Sequence, residues 1–160
     1  MALKTDRYEA VTDISYVMDQ TAQRGGMACQ QTAGSGAAMD QAVNVARYIA
    51  ASPSGNMPLG ILLNDVVNLD LTRQHLNFHK DEVQLGSKVT LLKQGWVVTN
   101  WIHPQVTITA GERIYVGTSG YLTNAIVDSV THPYSVGRFD GTVDSDGYVK
   151  VWVNLPVATW

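Results

Sequence analysis

The amino-acid sequence predicts an all-β protein: a small β-barrel or sandwich built from successive hairpins, with an extended N-terminal arm. Three observations lead there. Gly86-Ser87-Lys88-Val89-Thr90-Leu91, followed after three residues by Gly95-Trp96-Val97, is matched 25 residues later by Gly111-Glu112-Arg113-Ile114-Tyr115-Val116 and, after three more, Gly120-Tyr121-Leu122. Each copy reads as a strand, a turn closed by glycine and a returning strand that opens on an aromatic residue. Near the C-terminus Val149, Val151, Val153 and Leu155 alternate with Tyr148, Lys150, Trp152 and Asn154, the period of a strand with one buried face. Turn signals recur at close spacing through the second half of the chain, as in barrels and sandwiches of short strands.

Taken in order, residues 1–41 read as a loosely patterned arm and residues 42–160 as the β core of a single domain. The first part is rich in Ala, Gln, Met and Gly, with Gly25-Gly26 and Gly34-Ser35-Gly36. Such small residues give a flexible or closely packed backbone and little core. The segment is read either as a loose arm with some strand or as an arm that orders only against a partner. Ala42 to Ala50 alternates Val43, Val45, Arg47 and Ile49 before a Ser-Pro-Ser-Gly turn, which favours a strand over a helix. Leu59 to Leu63 fits a short buried strand, and Val66 to Leu71 a half-buried one. The two repeats predict hairpins over 88–100 and 113–123. Val136 to Phe139 then leads through a turn at Asp144-Ser145-Asp146-Gly147 into the final strand, which Pro156 ends because proline cannot donate to a ladder.

Composition narrows the function classes. At 160 residues with 45% hydrophobic and only 16% charged residues, the chain can bury a core beneath a weakly charged surface. A net charge of −3 with dispersed basic residues argues against a general nucleic-acid binder. The single cysteine, Cys29, rules out an intramolecular disulfide or a cysteine-based zinc cluster. The opening residues Met1 to Arg7 do not read as a secretory signal, and the longest apolar run, Pro58 to Leu63, is far short of a membrane span. The expectation is a soluble protein made in a reducing cytoplasm.

Candidate chemistry is sparse. His75 and His79, with Asp81 and Glu82 behind them, would share a helix face, but at strand spacing His75, Asn77 and His79 are polar residues on one side. A calcium loop through Asp140, Asp144 and Asp146 lacks the glutamate at position twelve, where Val153 stands; Asp and Gly there serve a tight turn. No nucleophile elbow or phosphate-binding loop is present, and Cys29 reads as a small buried hydrophobe. The reading is therefore non-enzymatic, with no cofactor and no metal. The aromatics Trp96, Trp101, Tyr115, Tyr121, Tyr134, Tyr148, Trp152 and Trp160 crowd the C-terminal half. Those on outer strand faces, Trp152 above all, suit a protein interface or a sugar platform.

The order of these pieces resembles the head decoration, or capsid cement, proteins of tailed bacteriophages. The resemblance lies in Met1 to Ala10, in Pro58 to Val67, in Ala110 to Gly117 with Gly120-Tyr121-Leu122, and in Val136 to Phe139 through Tyr148 to Val151. It implies a virion structural protein on the outer capsid surface, made in the host bacterial cytoplasm. Its partner would be the major capsid protein, commonly clamped by homo-trimers over local threefold axes, with neither nucleic acid nor membrane as partner. On that expectation Lys4, Arg7, Tyr8 and Tyr16 on the arm, with Trp152 on the last strand, are the partner-binding residues. Deleting residues 2–20 should then weaken shell binding and leave the fold intact. The alternative is a carbohydrate-binding module or head-fibre adhesin.

Overall fold

The computed structural model describes residues 2–30, 44–49, 56–66, 82–125 and 135–155. Among these residues 56% are in strands, there is no α-helix, and five strands close into a barrel. The organising element is β8 (Lys88–Thr99), twelve residues long. One edge of β8 pairs first with β6 (Pro58–Val66), through Lys88 to Leu92, and then with β12 (Val149–Asn154), through Gln94 to Thr99. Its other edge takes β1 (Leu3–Asp13) along Leu91 to Thr99, and β2 (Val17–Met18) at Lys88.

The barrel is the ring β8, β2, β5 (Val45–Arg47), β4 (Met27–Gln30), β6 and back to β8. Only the β2–β5 pair is parallel. Its interior draws on every ring strand: Met18, Ala46, Ala28, Leu59, Leu62, Val89 and Leu91 cluster there. Small barrels must fit large and small side chains to a narrow lumen. Ala28 and Ala46 supply the small side chains here, and Met18 a large one. A short pair, β3 (Ala22–Gln23) with β7 (Glu82–Val83), adds Ala22 and Val83 to the same cluster.

From β8 the sheet continues outward through β12, β11 (Ser135–Phe139), β9 (Arg113–Val116) and β10 (Leu122–Thr123). The inner side of this wing forms a second cluster around Val97, Ile114, Phe139, Val151 and Val153, all fully buried. β6 lies between the two clusters, sending Ile61 and Leu63 to one and Leu59 and Leu62 to the other. A strand covered on both faces needs a continuous apolar run, as Leu59 to Leu63 has.

Several expectations hold. Val149, Val151, Val153 and Leu155 are buried, and Trp152 points to the other side. The closing hairpin turns where Asp144 Oδ1 accepts the backbone N–H groups of Asp146 (3.0 Å) and Tyr148 (2.7 Å), with Gly147 at φ 85°. The strand reading at Ala42 to Ala50 is met over Val45–Arg47, and the 113–123 repeat is a hairpin, Val116 facing Leu122.

Two expectations are corrected. The 88–100 repeat is no hairpin, because Gly95 sits inside one uninterrupted strand. At φ 143° it faces the Tyr8 carbonyl, which would lie 1.9 Å from any Cβ placed there. The glycine permits a close approach at an irregularity in the β1–β8 ladder between Glu9 and Val11, a role that looks like a turn in sequence. Nor is the described part of the arm, residues 2–30, loose: it contributes β1 to β4. Val17, Met18, Met27, Ala28 and Cys29 are all buried, so deleting residues 2–20 would open the barrel. The readings at Val67 to Leu71, at His75 to Asp81, at 31–41, and at Tyr134 and Trp160 lie outside the described residues.

Candidate interaction face

Strand register decides what the outer side of the wing displays. Residues directly opposite on antiparallel strands share a face. Tyr8 is opposite Trp96, Trp96 opposite Trp152, Trp152 opposite Arg138, and Arg138 opposite Arg113. These five residues, one from each of β1, β8, β12, β11 and β9, form a row across the side of the sheet that faces away from the core. Tyr8 is 52% exposed, Trp96 and Trp152 are half-buried, and both arginines are exposed. Val11, 45% exposed and opposite Gln94, lies beside Tyr8.

The next row places Lys150 Nζ 4.2 Å from the centre of the Trp96 ring, a cation–π contact that also fixes the lysine. Lys150 and Arg138 both approach Asp140, each at 3.4 Å. Ion pairs this exposed contribute little to stability, but they orient the charged heads over the sheet.

Of the five residues expected to bind a partner, the structure brings Tyr8 and Trp152 together through Trp96. The other three make contacts within the chain. Lys4 Nζ donates to Asp144 Oδ2 at 3.0 Å and lies 4.2 Å over the Tyr148 ring. The Asp144 hydrogen bond raises the Lys4 pKa; backbone N–H donation from Tyr148, then Lys4, lowers that of Asp144. Arg7 pairs with Glu9 on the opposite face of β1 from Tyr8. Tyr16 is half-buried against the barrel cluster, with Lys93 near its ring. Trp96 was one of the aromatic candidates in the sequence, but Arg113 and Arg138 had no signal there, because what unites the row is register across strands far apart in the chain.

Other aromatic residues brace the fold. Trp101 stacks on Tyr121, centroids 5.0 Å apart at 11°, leans on Tyr48 at 5.8 Å, and donates Nε1–H to the Ser119 carbonyl at 3.1 Å. The Tyr48 hydroxyl donates to the Gln23 carbonyl (2.6 Å) and accepts from the Gly26 N–H (3.0 Å). Cys29 is fully buried, and burial pushes its thiol up to about 12, so it behaves as a small hydrophobe. Among the described residues no three His, Cys, Asp or Glu side chains gather as a metal site, and no helix is long and apolar enough to cross a membrane. No protein-family model matches the chain, and no curated protein matches it.

Proposed function

We propose that the chain is a non-enzymatic virion structural protein that binds the outer surface of an icosahedral phage head and stabilises the lattice of the major capsid protein. The observation that carries this reading is the row Tyr8, Trp96, Trp152, Arg138 and Arg113 on the outer side of a sheet anchored to a closed barrel. Tyr, Trp and Arg are the residues on which protein–protein binding energy concentrates. Presented from strands, they lose little further freedom on docking.

Such a module acts by linkage: whatever binds the expanded lattice and not its dissociated form stabilises that lattice. At a hundredfold its dissociation constant it contributes about 2.7 kcal/mol per site. A trimer contacting several capsid subunits would add avidity through effective concentration. The test is co-sedimentation with undecorated expanded heads, with procapsids as control. Saturable binding to expanded heads alone, weakened at least tenfold by Trp152→Ala, is the expected result. Absence of binding to either particle, with retention on a glycan array, would replace this reading by the carbohydrate-binding one.

A further inference from the structure

We infer that the row from Tyr8 to Arg113 is the docking face for an acidic, extended segment of a partner protein; this deepens the surface-binding reading and rests on it. Arg113 and Arg138 stand directly opposite one another on β9 and β11. Like charges so placed destabilise a sheet, and a position where folding preference is violated is where function is expected. The nearest carboxylate to Arg138, that of Asp140, is shared with Lys150. Among the described residues no ion pair reaches Arg113. Arg138 and Lys150 therefore share one carboxylate while Arg113 has no such partner among the described residues, and a partner's carboxylate would relieve the arginine pair.

The rest of the row sets the partner's shape. Lys150 occupies one face of the Trp96 indole, where a sugar or base would stack, so the aromatic half favours aliphatic or aromatic side chains laid between rings. Five strands about 4.8 Å apart make the row roughly 19 Å long, the span of about six extended residues. Side chains on one face of such a segment repeat every ~6.7 Å. Two apolar side chains then cover Tyr8, Trp96 and Trp152, and the following carboxylates reach the arginines. The edge of β1 that pairs with no strand among the described residues is a poorer dock, because its ladder irregularities and its charges at Lys4, Asp6, Arg7 and Glu9 are devices that discourage strand addition.

The test titrates the blocked peptide Phe-Ser-Phe-Ser-Glu-Ser-Glu into the isotopically labelled full chain, following the indole N–H signals of Trp96 and Trp152. A peptide with lysine in place of both glutamates is the control. The expected result is movement of both indole signals by the acidic peptide, with binding at least tenfold weaker for the lysine peptide and for the Arg113→Gln/Arg138→Gln variant. Equal binding of the two peptides, or unmoved indole signals, would overturn the proposal. So would tighter binding of an oligothymidylate at the same signals.

A second readout needs no ligand: removing the like-charge pair should leave the urea midpoint of the variant unchanged or raised. A lowered midpoint would mean that the arginines serve the fold, and would also overturn it. Expanded heads that bind wild type and variant alike would retain the capsid reading and discard this face. Peptide binding here without head binding would do the reverse.

Discussion

Replacing Gly95 by alanine should be strongly destabilising. At φ 143° the residue occupies backbone space that other side chains enter at a cost of about 1–3 kcal/mol. The added Cβ would also lie 1.9 Å from the Tyr8 carbonyl oxygen, a backbone atom that can yield only if β1 lifts from β8. Losing two ladder hydrogen bonds around Tyr8 and Glu9 adds about 2 kcal/mol. The sum, about 3–5 kcal/mol, corresponds to a fall in Tm of roughly 6–20 °C for a domain of this size. Gly111→Ala is the matched control: it shares a positive φ, 91°, but its Cβ would meet nothing within 4 Å, so backbone strain of about 1–2 kcal/mol is its whole cost. Urea unfolding of both variants, with limited proteolysis of residues 3–13, measures the difference. If Gly95→Ala falls within about 1 kcal/mol of Gly111→Ala, the close approach of β1 does not constrain this position and the reasoning fails.

Three further outcomes are expected. Burial tends to raise the Asp13 pKa, but hydrogen bonds from Lys93 and Ser15 outweigh it and lower the value to about 2. Its stabilising contribution is then present above the ordinary value of 3.8 and lost as the pH falls towards 2; the stability gap between wild type and Asp13→Asn in urea titrations should close over that window. Tyr48→Phe leaves the Gln23 carbonyl and the Gly26 N–H without their hydroxyl partner, which should cost about 1–3 kcal/mol in urea unfolding. Cys29 should resist a thiol reagent at pH 8 in the native protein and react only on unfolding, since its thiol is fully buried and pushed up to about 12; rapid native labelling would contradict the buried position of β4.

The strand Val149–Asn154 was legible in the sequence because period-two alternation is a local property, and a strand with one buried face must display it whatever it pairs with. The turn from Asp144 to Gly147 was legible for the same reason, its side chain–backbone bonds lying within five residues. Leu59 to Leu63 announced burial, though not that two separate clusters would share it. The tertiary structure alone decided three things. Gly95 satisfies a tight turn and a close backbone approach equally well in sequence, and only the strand packed against it selects between them. The N-terminal segment reads as poor in core until a narrow ring of five strands buries Met18 and Ala28 in its interior. The row from Tyr8 to Arg113 draws on residues between positions 8 and 152 and exists only through four pairings between strands. Register is set by the summed burial of whole strands, so no local pattern around Trp96, Arg113 or Arg138 could have disclosed the face they share.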